Sequence, residues 1–261
     1  MSTDRNWAVI TGASSGIGKA LAFEFAAGGF NLLLTGRNAK ALNNVATECS
    51  TKHHAETEVV TADLSCTESV DSLIDAILSK PRRYEVLVNN AGFGIHGDFA
   101  STDVEENIKL LNVQLTAALK LTQAVLSAMK ARRSGKILNV GSVYSFAPVP
   151  FQSVYAACKA FLLSFSASLQ SELTDTGVTV TVFCPGITQT EFRSRAGIRE
   201  KSKSSGMTAD SAAHIAFVET MRGKHIVIPG FANRAFTTLT GVLSPTAMAN
   251  LVRFINRLRG Q

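Results

Sequence analysis

Tyr155 and Lys159 stand four residues apart in YAACK (155–159), a spacing that on a helix brings two side chains to one face, with Cβ atoms about 5–6 Å apart. A free phenol has a pKa near ~10, too high for ready proton exchange at neutral pH. A neighbouring ammonium favours the phenolate and pulls that value toward the working range, so the pair is an acid/base device in outline. Alone the spacing carries little, because a half-buried ring beside a solvated amine is the commoner meaning of Tyr-x-x-x-Lys. Its weight comes from what precedes it: Asn112 in LLNVQ, and Ser142 in NVGS thirteen residues before the tyrosine.

Positioning such a set requires a scaffold, and the chain has a regular one. Seven apolar, β-rich runs (8–11, 31–36, 58–63, 85–92, 136–142, 178–186 and 225–230) alternate with amphipathic segments at 17–27, 39–53, 67–80, 102–131, 153–174 and 208–221. Near-continuous apolar strands joined by helices predict a Rossmann-type, doubly wound α/β fold, a parallel sheet of about seven strands with helices on both faces. With 261 residues, 46% of them hydrophobic, the chain suits a single domain over 1–261. The alternation loosens at 187–207, rich in Ser, Arg and Lys and read as a lid, and in a tail at 230–261.

The first strand runs into TGASSGIG (11–18) and then directly into a helix. Gly12, Gly16 and Gly18 let the backbone approach a pyrophosphate, and the helix N-terminus presents free N–H groups to it, with Ser14, Ser15 and Ile17 in the same turn. These glycines fit TGxxxGxG rather than GxGxxG. NNAG (89–92) follows at the end of the fourth strand, where Asn89 and Asn90 tie neighbouring strands and Ala91 and Gly92 form a flat shelf, and PGITQT (185–190) follows the sixth. Together with Asn112, Ser142, Tyr155 and Lys159, these motifs resemble those of the short-chain dehydrogenase/reductase family from Thr11 to Thr190.

The resemblance implies hydride transfer between a nicotinamide and a carbonyl or alcohol carbon. Tyr155 would be the general acid/base, Ser142 would hydrogen-bond the reacting oxygen, and Lys159 would hold the nicotinamide ribose and lower the phenol pKa. Asn112, at a kink in its helix, would connect Lys159 to solvent. Pro185, Gly186, Ile187 and Thr188 would meet the nicotinamide and Thr190 the phosphates, while Asp63 and Leu64 would contact adenine, an N-cap for the next helix being the alternative for Asp63. A homodimer or homotetramer paired through 102–131 and 153–174 is expected on the same ground.

The end of the second strand bears on which nicotinamide cofactor binds. An acid there reads free ribose hydroxyls, whereas this chain has Gly36 followed by Arg37, whose guanidinium grips a 2′-phosphate, with Ser14, Ser15 and Asn38 adding polar contacts. NADP(H) is therefore expected. For the substrate, Phe93, Val143, Tyr144, Phe146 and Phe151 point to an apolar ketone or aldehyde. A lid with Arg193, Arg195, Arg199, Lys201 and Lys203 offers an anion-attracting alternative.

The net charge of +6 is unevenly placed. From Thr190 onward 11 Lys/Arg stand against 4 Asp/Glu, leaving 15 against 16 before it. Without interleaved aromatics or a groove-reading helix this is not a nucleic-acid surface. Cys49, Cys66, Cys158 and Cys184 lack ligand or redox spacing, and His53, His54 and His96 lack metal partners, so free thiols in a reducing cytoplasm and no metal are expected. Cys158, beside Lys159, is a small packing residue or an oxidation-sensitive thiol. The N-terminus has neither signal-peptide nor spanning character. In the tail, Met248, Leu251, Val252, Ile255 and Leu258 fall at helical spacing with Arg253 and Arg257 on another face. Packing on the domain or on a neighbouring subunit is favoured there over membrane contact. Two rivals to an enzyme remain, a noncatalytic NADP(H)-binding redox sensor and a membrane-peripheral scaffold.

Overall fold

Runs such as WAVIT and YEVLVN are buried at every residue, the condition of strands covered on both faces. In the computed structural model, which describes residues 5–198 and 206–258, they belong to one seven-stranded sheet. Its strands are β1 (Trp7–Thr11), β2 (Asn31–Gly36), β3 (Thr57–Thr61), β4 (Tyr84–Asn89), β5 (Gly135–Val140), β6 (Val178–Phe183) and β9 (Ile226–Val227). The order is β3-β2-β1-β4-β5-β6-β9, and every neighbouring pair is parallel. The chain winds outward in opposite directions from β1 and β4. The crevice beyond their carboxyl ends is where a sheet of this kind binds its ligand.

The helices are α1 (Gly16–Ala27), α2 (Ala39–His53), α3 (Thr67–Leu78), α4 (Val104–Leu111), α5 (Ala117–Ala131), α6 (Ser153–Glu172), α7 (Phe192–Arg195), α8 (Ala209–Met221), α9 (Phe231–Thr240) and α10 (Pro245–Leu258). Side chains alternate across a strand, so β1 feeds two cores. Ala8 and Ile10 join Leu21, Phe25 and Leu42 on the α1, α2 and α8 side, whereas Trp7 and Val9 join Leu73, Leu121 and Leu169 on the α3, α5 and α6 side.

The expected strands all form, but five are shorter at their carboxyl ends than the apolar runs that announced them. Residues 62–63, 90–92, 141–142, 184–186 and 228–230 have left the ladder. A strand's last apolar residues continue past its last hydrogen-bonded partner, and that is where the chain turns toward the crevice. The single amphipathic segment expected at 102–131 is broken by a π-helical turn at Asn112–Thr116, where the Ala117 N–H bonds the Asn112 carbonyl. Such turns inside α-helices often mark functional positions.

Two short strands, β7 (Thr188–Gln189) and β8 (Met207–Thr208), pair in parallel at the neck of the 187–207 segment. Arg199, Lys201 and Lys203 lie outside the described residues. In the tail, Met248 and Val252 of α10 are buried with Ala147, Val149 and Ala156, so the apolar stripe read there is spent on the domain itself. Among the described residues no helix is long and apolar enough to cross a membrane.

Candidate active site

The crevice begins where β1 ends. The Thr11 hydroxyl donates to the Val88 carbonyl (3.1 Å) and accepts from the N–H groups of Asn90 and Ala91 (3.0 Å each), while the Asn90 amide donates to the Thr11 carbonyl (2.9 Å). These bonds lock the first strand to the NNAG segment. Gly12 and Gly16 sit at φ of 66° and 56°, a region that side chains disfavour. A Cβ at Gly18 would lie 2.2 Å from the Gly12 carbonyl oxygen, so α1 can close on the turn only with glycine there. No side chain caps α1, and its first turn holds no acid. Its leading N–H groups and dipole therefore suit an anion, and the turn fits the pyrophosphate of a dinucleotide.

Asn89, on the other side of β4, donates to the Asn139 amide oxygen (2.9 Å) and the Thr122 hydroxyl (3.2 Å). It ties β4 to β5 and α5, the structural role expected of it.

Ser142 follows β5 by two residues. Its hydroxyl accepts from the Tyr144 N–H (3.2 Å) and hydrogen-bonds the Tyr155 phenol. Tyr155 and Lys159 are 8% and 4% exposed, on one face of α6, and the ammonium stands 5.6 Å from the centre of the phenol ring. Its Nζ donates to the Val140 carbonyl at 2.8 Å. Three side chains of the expected set thus converge.

Their electrostatics correct the expectation of a lowered phenol. Burial pushes the Tyr155 pKa above its ordinary value, and the Ser142 hydrogen bond offsets this only in part. Burial likewise pulls Lys159 from 10.5 down to about 8. Withdrawing both groups from water disfavours both charged forms, and this outweighs their mutual attraction. The Cys158 thiol is pushed up to about 11 by burial, against the pull of Lys159, so it is a protonated packing residue rather than an activated nucleophile.

Asn112 is placed differently. Its amide nitrogen donates to the Ser65 carbonyl (3.1 Å) and its oxygen accepts from the Thr116 hydroxyl (3.4 Å). It does not line the cavity. What it joins is the π turn and the loop after β3.

A cavity of about 950 Å³ runs from the glycine turn past Tyr155 to the tail helices. The other residues expected to bind a nucleotide line it, Asn38 excepted: Gly12, Ser14, Ser15, Gly16, Ile17 and Gly18 in the turn, Arg37, Asp63 and Leu64 at the ends of β2 and β3, Asn90, Ala91 and Gly92 after β4, and Pro185, Gly186, Ile187, Thr188 and Thr190 after β6. Asn38 instead caps α2, its side-chain oxygen accepting from the Ala41 N–H (3.0 Å). Asp63 accepts from the Ser65 N–H (3.0 Å) and hydroxyl (2.8 Å), and the helix that follows is capped at Cys66 instead. Partial burial raises the Asp63 carboxyl, but the Ser65 bonds and the charges of Arg37 and Lys109 outweigh it and hold it below its ordinary value. Lys109 and Glu106 also line this end. Sequence reasoning missed them because the face α4 turns toward β3 depends on packing between segments far apart in the chain.

At the other end Phe93, Val143 and Tyr144 line the cavity as expected, whereas Phe146 and Phe151 do not. Phe151 instead packs against His96 and lies under Arg253, in a left-handed conformation with φ of 65°. Their places are taken by Phe192, whose ring is 5.3 Å from that of Tyr155, and by Gln152, Phe236, Val252, Ile255 and Asn256. The one signal that could have found Asn256 is its position, four residues after Val252 on the apolar stripe of α10. Arg195 pairs with Glu191 and reaches the Ser15 hydroxyl (3.5 Å), so this lid arginine sits beside the glycine turn.

The family model for short chain dehydrogenases matches residues 6–201. An uncharacterized oxidoreductase of Staphylococcus epidermidis is 33% identical over 196 residues, covering 75% of this chain and 84% of that protein. A very-long-chain 3-oxoacyl-CoA reductase of Scheffersomyces stipitis is 40% identical over 185 residues, covering 67% of this chain and 53% of the other. Among solved structures, a short-chain dehydrogenase from Sphingobium yanoikuyae in complex with NADPH superposes with a TM-score of 0.83 at 33% identity, covering 91% and 93% of the two chains.

Proposed function

Because this chain belongs to the short-chain dehydrogenase family of oxidoreductases, we propose that it is an NADP(H)-dependent reductase or dehydrogenase acting on the carbonyl or alcohol carbon of a small, largely apolar substrate. The observation that carries the reading is the buried Tyr155 phenol, hydrogen-bonded to Ser142 on the wall of a cavity that continues to the glycine turn. When bound, the nicotinamide supplies or accepts the hydride.

The chain's own residues do the rest. The Ser142 hydroxyl orients the carbonyl oxygen and favours the negative charge that develops on it. Tyr155 gives that oxygen its proton in reduction and removes it in oxidation. Burial suits the reducing direction, since it keeps the phenol protonated. Lys159 holds the nicotinamide ribose and supplies positive charge beside the ring, and Asn112 acts as a positioning residue that fixes the helical kink against the Ser65 loop. Gly12, Ser14, Ser15, Gly16, Ile17 and Gly18 hold the pyrophosphate, with Thr190 and Arg195 beside them. Arg37 and Lys109 would hold the 2′-phosphate, and Asp63 and Leu64 the adenine. Asn90, Ala91, Gly92, Pro185, Gly186, Ile187 and Thr188 shape the nicotinamide pocket. Phe192 of α7 packs its ring against Tyr155 and excludes water there.

A redox sensor needs the nucleotide cradle but not the Ser142–Tyr155 bond, which favours turnover. The test is NADPH oxidation across a panel of ketones and aldehydes, with Tyr155→Phe as the control. Loss of a general acid lowers kcat about 10²–10⁴-fold. A Tyr155→Phe enzyme as fast as its parent would overturn the assignment.

A further inference from the structure

Beside Ser142, Tyr155 and Lys159, the substrate end of the cavity carries the Tyr144 phenol, Arg193 of α7, the Asn233 amide, which donates to the Pro229 carbonyl (2.6 Å), and two further carboxamides. Asn256, on the inward face of α10, is 6% exposed, and Gln152, immediately before α6, is 3% exposed; both line the cavity. Neither side chain has a hydrogen-bond partner among the described residues. Asn256 stands where the stripe of Met248 and Val252 would be continued by another apolar residue, and Ile255 beside it also lines the cavity. Neither amide is among the side-chain atoms sealed from solvent without a partner, so both open onto the cavity, and two unpaired amides on one wall are placed to pair a ligand.

The chemistry of that ligand follows from the donor set. A carboxamide offers both N–H donors and a carbonyl acceptor and carries no charge, so it matches a hydroxyl or a carbonyl and does nothing to neutralise a carboxylate. The charged residues on the wall are Arg37, Asp63, Glu106 and Lys109 near the ends of β2 and β3, Lys159 one turn after Tyr155, and Glu191, Arg193 and Arg195 after β6; none of them is on α10 or at the start of α6. We infer that Asn256 and Gln152 form a second polar subsite, selecting a substrate that carries an uncharged hydroxyl or second carbonyl on an apolar frame, apart from the carbonyl that reacts. The inference rests on the reductase reading and narrows its substrate class. A plain ketone seated here displaces water from both amides without replacing their hydrogen bonds, which is the kind of discrimination polar sites exert well.

The experiment uses one frame: a decalone, its derivatives with a distal hydroxyl or second keto group, and its distal carboxylate, each assayed with NADPH. In the parent protein the hydroxyl or diketo compound should exceed the plain decalone in kcat/KM by about 10–100-fold, chiefly through KM. Asn256→Leu and Gln152→Met should each bring that ratio toward one, with Asn256→Ser retaining part of it. Because the amides lack protein partners, the free Asn256→Leu protein should melt no lower than its parent. A parent ratio near one, a ratio unchanged in both variants, preference for the carboxylate, or a melting point lowered by several degrees in Asn256→Leu would each overturn the subsite. Turnover of no ketone at all would instead count against the reductase reading. The subsite is then read from thermal stabilisation of the NADPH-loaded protein by the diketo compound: stabilisation lost in Asn256→Leu supports it, and absence of stabilisation in the parent overturns it.

Discussion

Lys159 is the residue whose environment makes the sharpest demands. Its ammonium is buried, holds the Val140 carbonyl, and has its pKa pulled from 10.5 to about 8. Between about pH 8 and 10.5 the unfolded chain binds more protons at this group than the folded one, so its contribution to stability rises with pH there and the full penalty applies below about 8. That penalty is roughly 3 kcal/mol, partly offset by the hydrogen bond to Val140 at about 1 kcal/mol. Lys159→Met should therefore be more stable than its parent by about 2 kcal/mol at pH 7 and lose this advantage near pH 10.5, as read by urea denaturation at both values. Carbonyl reduction should fall as pH rises through about 8, where the ammonium is lost while the raised Tyr155 phenol still carries its proton. A rate flat to pH 10 would count against a role for the charge. At the adenosine end, Arg37→Ser should weaken NADPH binding about tenfold or more while leaving NADH nearly unchanged, measured by fluorescence titration. Equal losses for both would place Arg37 away from the 2′-phosphate.

At the scale of elements, α10 does two jobs that pull on each other. Met248 is buried against Ala147, Val149 and Ala156, which flank the Ser142 loop and start the helix of Tyr155, while Val252, Ile255 and Asn256 face the cavity. Met248→Ala should lower stability by about 2–5 kcal/mol and raise KM more than it lowers kcat, checked by denaturation and steady-state kinetics. Unchanged KM with the full stability loss would separate the two jobs. The strands and the glycine turn were legible in the sequence because Val/Leu runs and Gly12, Gly16 and Gly18 answer to local geometry. So were Ser142, Tyr155 and Lys159, whose spacing maps onto one strand end and one helix. The cavity side of α10 was not, since an asparagine on an amphipathic helix reads as solvent-facing until the helix is docked. Phe151 misled for a related reason: an aromatic two residues before α6 looks like pocket lining, but its left-handed backbone turns it toward His96 and Arg253. Nor does helical periodicity show that burial raises rather than lowers the phenol, because desolvation depends on what the fold stacks over the pair.

The whole molecule leaves apolar side chains on the helices that cover one face of the sheet. Ile108 and Leu111 of α4, Leu119 of α5 and Phe161 of α6 are exposed, and Phe161 stacks on Phe165 one turn away, at 5.9 Å between ring centres. Large aliphatic and aromatic groups held outward on neighbouring helices are what a second copy of the chain would cover. In an isologous pairing through α4, α5 and α6 the same patch would face itself, so a charge placed on it would meet its like across the interface. The native chain should therefore sediment at micromolar concentration as a dimer or tetramer. Phe161→Glu combined with Leu119→Glu should weaken that association at least tenfold and shift the sedimentation coefficient toward the monomer, because two buried carboxylates lose hydration and repel each other across the axis. Phe161 also shares α6 with Tyr155 and Lys159, so an interface there would buttress the helix that carries the acid/base pair. Specific activity of the native chain should then fall on dilution below the dissociation constant, and the double variant should have the low value at every concentration. A native chain that sediments as a monomer, or a double variant that stays assembled, would place the interface elsewhere and leave these side chains to another partner.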